Sequence, residues 1–149
     1  MPLSPFHSME RTFVMVKPDG VEKNVIGDCV HRLEKGGLKI LAAKLISVSK
    51  HQAEQLYEEH KGKPFYDGLV EFALSGPAFP MVVEGENAVK KVRDIIGPTD
   101  PKKAPKGTIR GDYGTELPYN IMHASDAVKS AEREIKIFFK ESEIISKAR

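Results

Sequence analysis

Between Pro98 and Asn120 lie Lys102, Lys103, Lys106 and Arg110 against Asp100, Asp112 and Glu116. Four cations against three anions leave this stretch slightly basic, which suits a phosphate-bearing partner. The usual backbone cradles for phosphate are missing: there is no Gly-x-x-x-x-Gly-Lys-Ser/Thr and no Gly-x-Gly-x-x-Gly. His-Arg-Asp, Asp-Phe-Gly, His-Glu-x-x-His and Gly-x-Ser-x-Gly are absent too. If phosphate is bound, Arg and Lys side chains must bind it. Of the five histidines, His7, His31, His51 and His60 read as tail, surface or packing residues. His123 directly follows Asn120-Ile121-Met122, which reads as a short apolar strand, and precedes helix-forming Ala124-Ser125-Asp126. A side chain at a strand end is held rigidly yet can face a cleft, so His123 is a candidate for chemistry. The single cysteine, Cys29, can form neither an intrachain disulfide nor a thiolate metal cluster, and reads as a buried inert thiol.

These groups need a frame. With 149 residues, 40% hydrophobic and 30% charged, the chain has the make-up of one globular domain with its own core. The net charge of +2 and the lack of tryptophan weigh against a nucleic-acid binder as the main role. No stretch reaches the roughly 20 apolar residues of a membrane span, and Met1 to Glu10 lacks a secretory pattern. The expectation is a cytoplasmic protein with no membrane partner. Residues 1–8 read as a flexible leader or tag, and 9–149 as a single domain.

Thr12-Phe13-Val14-Met15-Val16-Lys17 is a β-forming run apolar on both faces, as a central strand would be. It stops at Pro18-Asp19-Gly20, read as a turn in which glycine permits φ > 0. Gly27 to Lys35 reads as a helix ended by Gly36-Gly37, and Lys39 to Ser47 as a second strand. Ser49 and Gln52 fit a capping box, opening a helix with Ala53, Leu56, Tyr57 and His60 on one stripe. Phe65, Leu69 and Phe72 mark another helix, and Pro80 to Glu84 a third strand. Asn87 is expected to cap a helix with Val89, Val92 and Ile96 inward, ending near Gly97-Pro98. Asn120 to Met122 is the fourth strand; Ala131, Ile135 and Phe138 mark a last helix capped by Ser130. Pro98 to Asn120 shows no periodicity and reads as a long functional loop. One sheet with helices packed on it, in the α/β or α+β class, follows from this order.

Two segments carry a more specific signal. Glu10-Arg11-Thr12-Phe13-Val14-Met15-Val16-Lys17-Pro18-Asp19-Gly20-Val21 resembles the opening of a nucleoside diphosphate kinase, and Asn120-Ile121-Met122-His123-Ala124-Ser125-Asp126 resembles that family's active-site signature. Lys63-Pro64-Phe65, Ser75-Gly76-Pro77, Gly107-Thr108-Ile109-Arg110-Gly111-Asp112 and Ser130-Ala131-Glu132-Arg133-Glu134-Ile135 match the family pattern in order between and after them. The resemblance runs from about Glu10 to Phe139. It implies a ferredoxin-like α+β sandwich, a four-stranded antiparallel sheet with helices packed on it. One departure is visible: Ala124 stands where the family usually has Gly, a change that matters if the backbone there needs φ > 0.

The resemblance also implies an activity: ping-pong transfer of the terminal phosphate of a nucleoside triphosphate to a nucleoside diphosphate, through a phosphohistidine. An imidazole titrates near ~6.5, so at neutral pH a ring nitrogen lone pair is free to attack. His123 would be phosphorylated on Nδ1 and Glu134 would orient its ring. Lys17 and Tyr57 would approach the transferred phosphoryl group. Arg93, Thr99 and Arg110 would hold the diphosphate part, with Mg²⁺ arriving on the nucleotide rather than in a protein metal site. Asn120 and Lys17 would contact the sugar hydroxyl. Phe65 would stack on the base, with Leu69 and Leu117 nearby. The partners implied are nucleoside di- and triphosphates and further copies of the chain, as a tetramer or hexamer; nucleic acid is not required.

Overall fold

The computed structural model describes residues 9–145, so the leader expected at 1–8 lies outside the described residues. Its centre is strand β1 (Met9–Val16). Phe13 and Met15 point into one apolar cluster and Val14 and Val16 into another, all four with no exposure. Helices cover both faces of the sheet, which is why the run shows no polar alternation. β1 pairs antiparallel with β4 (Pro77–Glu86) on one side and β5 (Met122–Ala124) on the other. β2 (Lys39–Ala43) pairs antiparallel with the far edge of β4, giving the order β2-β4-β1-β5. The fold is the ferredoxin-like α+β sandwich that the family resemblance implied.

One face carries α3 (Lys50–Leu56), α4 (Tyr66–Leu74) and α7 (Val128–Phe138), whose Leu56, Val70 and Phe138 join Phe13 and Met15. The rings of Phe13 and Phe138 stack with centroids 5.2 Å apart. The other face carries α2 (Ile26–Lys35), α5 (Ala88–Ile96) and α6 (Ile109–Tyr113), whose Leu33, Val92 and Ile109 pack on Val14 and Val16. Cys29 is fully buried there, and burial pushes its thiol up to about 12, which keeps it protonated and unreactive. Among the described residues no helix is long and apolar enough to cross a membrane.

Several boundaries differ from the sequence reading, each for a physical reason. The expected strand 39–47 is split into β2 and the two-residue β3 (Ile46–Ser47). Both pair with β4, and the break falls opposite Pro80, which has no N–H to return to the ladder. Pro18-Asp19-Gly20 is not a left-handed turn but the start of α1 (Pro18–Glu22), with Pro at its first turn. Gly20 is needed for space: a Cβ there would sit 2.7 Å from Val16 Cγ1 and 3.0 Å from Ile121 Cγ2. Asn87 does not cap α5 with its side chain; it adopts φ 51°. Glu10 of β1 does so instead, accepting the Val89 N–H at 3.1 Å. Val89 is only half-buried and Ala88 takes the inward position. Ser130 is not the cap of α7, which starts at Val128; its hydroxyl donates to Asp126 at 2.6 Å. The stretch from Pro98 to Asn120 holds a 3-10 turn at Pro101–Lys103 and α6. The Thr108 hydroxyl oxygen caps α6 by accepting the Gly111 N–H at 3.0 Å.

Candidate active site

The site forms where β1, β5 and the chain before β5 meet. The fourth strand begins at Met122, two residues later than expected, so His123 lies inside it, paired with Met15 of β1. Ile121 cannot belong to a strand because it adopts φ 74°. The Met122 N–H donates back to Asn120 O at 2.8 Å, closing a γ-turn around Ile121. A β-branched residue in this region costs of order 1–3 kcal/mol, and surrounding bonds must hold it there. Ala124 needs no such conformation: it is absent from the positive-φ residues and pairs with Val14 in the sheet, so its methyl causes no strain.

His123 Nε2 lies 2.7 Å from Glu134 Oε1. A carboxylate only accepts, so the ring proton belongs on Nε2 and Nδ1 keeps its lone pair. Glu134 is 2% exposed on the inner face of α7, and the same oxygen accepts the Ser125 hydroxyl at 2.7 Å. The imidazole is further fixed by rings. Phe13 approaches it at 5.8 Å between centroids, and Tyr57 meets it edge-on at 6.2 Å. The His123 side chain remains 18% exposed, held but reachable. Burial first, then Glu134 and Asp19, push the Tyr57 phenol up, so it stays a donor.

The cations are unusually deep. Lys17, at the end of β1, is 6% exposed and donates to Pro118 O at 2.9 Å and Asn120 Oδ1 at 2.7 Å. Its ammonium lies 5.2 Å from the Phe72 ring centre. Burial lowers its pKa from 10.5 to about 8; Asp19 opposes that fall and Arg110 adds to it. Arg110, on α6, is also 6% exposed and donates to three backbone oxygens: Asn120 at 3.2 Å, Gly97 at 2.8 Å and Met122 at 2.7 Å. A guanidinium has five N–H groups, so two remain for a ligand. Burial, then Arg93, bring Arg110 down to about 10, against Asp19. Arg93, in the last turn of α5, reaches Ala124 O at 3.5 Å. Asn120 also donates through Nδ2 to Thr99 O at 2.9 Å, tying this corner together.

These side chains share one cleft of about 1690 Å³, ample for a nucleotide. Every candidate from the sequence lines it: Lys17, Tyr57, Arg93, Thr99, Arg110, Asn120, His123 and Glu134 at the polar end, Phe65, Leu69 and Leu117 at the apolar end. Phe65 and Leu117 are 51% and 53% exposed, so neither is a core residue.

A profile of the family described as nucleoside diphosphate kinase matches residues 10–144. The chain belongs to the nucleoside diphosphate kinase family. It is similar to the nucleoside diphosphate kinase of Sulfurisphaera tokodaii, 53% identical over 139 residues, covering 93% of this chain and 95% of that one. It is similar to that of Staphylococcus epidermidis as well, 56% identical over 136 residues and 91% of each chain. Among solved structures it resembles the halophilic nucleoside diphosphate kinase of Halobacterium salinarum in complex with CDP. The TM-score there is 0.91 at 49% identity, covering 95% of each chain. The protein is thus a phosphotransferase, a nucleoside diphosphate kinase that works on nucleoside di- and triphosphates.

The sequence reading of this kinase passed over three site residues. Asp19, given by the sequence a place in a turn and in the family-like opening segment but no role, lines the cleft, and its Oδ2 accepts the Ile121 N–H at 3.0 Å. Ser125, in the segment that resembles the family's active-site signature, donates its hydroxyl to Glu134, a role its sequence position does not reveal. Phe72, expected on a helix stripe, has its ring under Lys17 and meets Tyr119 edge-on at 5.1 Å. The adjacency of Asp19 to Lys17-Pro18 is the one signal in the sequence; the Ser125–Glu134 bond spans the gap between β5 and α7, and Phe72 meets Lys17 from another element.

Proposed function

We propose that this nucleoside diphosphate kinase works by a ping-pong mechanism through a phosphohistidine at His123. The observation that carries the reading is the 2.7 Å bond from His123 Nε2 to buried Glu134, which leaves Nδ1 as the nucleophile in a cleft shared with Lys17, Arg93 and Arg110. The Nδ1 lone pair forms a bond to the terminal phosphorus. The bond from that phosphorus to the bridging oxygen breaks, and a nucleoside diphosphate leaves. Glu134 keeps the Nε2 proton and steadies the charge the ring acquires. A second nucleoside diphosphate then takes the group by the reverse step, so one site serves both substrates.

Phosphoryl transfer is governed by positioning and charge. Arg93 and the two unspent N–H groups of Arg110 face the diphosphate, with Thr99 beside them. Lys17 and Tyr57 approach the transferred group, and Asn120 with Lys17 takes the sugar hydroxyl. Phe65, Leu69 and Leu117 receive the base; stacking is tolerant of base identity because every base has a π-face. Among the described residues no group of three His, Cys, Asp or Glu could hold a metal ion, and Lys17, Arg93 and Arg110 gather at the polar end of the cleft. It fits a magnesium ion carried on the phosphates, where the ion neutralises part of their charge. A cytoplasmic homo-oligomer, tetramer or hexamer, accords with this reading.

The test uses γ-labelled ATP with Mg²⁺. The protein should take up an acid-labile, base-stable label that a nucleoside diphosphate removes. His123→Ala should take none while folding normally, and Glu134→Ala should label more slowly. Normal labelling of His123→Ala sinks the mechanism.

A further inference from the structure

We infer that Asp19 is a positioning residue of this enzyme: its carboxylate pins the backbone turn at Ile121 that sets the directions of Asn120 and His123, and supplies the negative charge facing buried Lys17 and Arg110. The inference rests on the phosphohistidine reading and names how that site is held.

The backbone half of the argument starts from Ile121. It is fully buried, β-branched, and at φ 74° sits where such residues are disfavoured. Asn120 before it turns to Lys17 and Thr99, while Met122 and His123 after it enter the sheet. If Ile121 relaxed, the strand would begin earlier and the imidazole would move relative to Asn120. Two bonds from the start of α1 oppose this. Lys17 N–H donates to Ile121 O at 2.8 Å, and Asp19 Oδ2 accepts the Ile121 N–H at 3.0 Å. Gly20 permits that approach, because a side chain there would collide with Ile121.

The charge half starts from the other oxygen. Asp19 Oδ1 is buried and has no hydrogen-bond partner among the described residues. Burying a lone carboxylate oxygen is costly unless charge nearby compensates. The compensation is cationic. Lys17 is faced by Asp19 from α1, Arg110 from α6, the Phe72 ring from α4, and the oxygens of Pro118 and Asn120. Arg110 is faced by Asp19 and by Arg93 from α5. For both cations Asp19 is the anion that works against burial. It keeps them charged for a phosphate without occupying the donors that would hold it.

Asp19→Asn and Asp19→Ala separate the two halves. An amide keeps a carbonyl oxygen for the Ile121 N–H but no charge; alanine keeps neither. For Asp19→Asn, kcat at pH 7 should stay within a few-fold of wild type, while the alkaline fall of kcat/KM moves to lower pH by about one pH unit. Asp19→Ala should show the same displacement and a kcat at least about tenfold below Asp19→Asn at its own optimum. Circular dichroism checks folding, and if alanine does not fold, the Asp19→Asn profile decides alone. Labelling of wild type by γ-labelled ATP runs alongside. A labelled wild type with an unmoved Asp19→Asn profile overturns this inference; an unlabelled wild type overturns the phosphohistidine reading itself. Equal losses in both variants with no movement of the profile also overturn it, since they show a purely structural role.

Discussion

Lys17 sits where most lysines do not, at the end of a strand with no exposed residue after Thr12, spending two N–H groups on fixed oxygens. Its charge is present below about 8 and lost above it. Because kcat/KM reports the free enzyme, its pH profile should fall above about pH 8, well below where an ordinary lysine would act. A profile flat to pH 10 contradicts this role. Arg110 offers a sharper contrast between shape and charge. Lysine at 110 keeps the charge but cannot reach three backbone oxygens from a planar fork. Arg110→Lys should raise KM for the nucleoside diphosphate at least about tenfold and lose about 1–3 kcal/mol of stability in urea unfolding, from the carbonyls left unpaired. At this scale residue type alone offered His123 beside an apolar strand and the basic stretch around Arg110, while Lys17, Tyr57, Arg93, Asn120, Phe65 and Glu134 became candidates through the family resemblance. The resemblance also pairs Glu134 with His123, but the bonds made by Ser125 and Asp19 are ones that sequence spacing does not encode.

Among the elements, those with local signals were readable and those with distant ones were not. The capping box of α3 lies within four residues, and both of its bonds are present: Gln52 N–H to Ser49 Oγ at 3.1 Å and Ser49 N–H to Gln52 Oε1 at 2.9 Å. Ser49→Ala should cost about 1 kcal/mol of stability with little change in kcat, measurable by chemical denaturation beside a steady-state assay. Asn87 pointed to a local cap for α5, yet the cap comes from Glu10 on another element. α6 is five residues long, too short to display a helical period, so the stretch around it looked structureless. The displaced start of β5 has the same origin: strain at Ile121 is a property of the folded surroundings, invisible in a residue that prefers strands.

For the molecule as a whole, the two ends of the cleft rest on different supports. The polar end is built on β1, hydrogen-bonded to strands on both sides and packed on both faces. The apolar end is built around α4, which buries only Val70 and Ala73 and follows directly on exposed Phe65. Free energies of local opening follow such differences in burial. In native-state deuterium exchange, the β1 amides should exchange only by global unfolding. Those of α4 should exchange faster, with a smaller denaturant dependence, and slow when a nucleotide is bound. Whatever enters the cleft thus meets a fixed polar floor at one end and, at the other, an apolar wall carried by a thinly held helix that opens locally at lower cost.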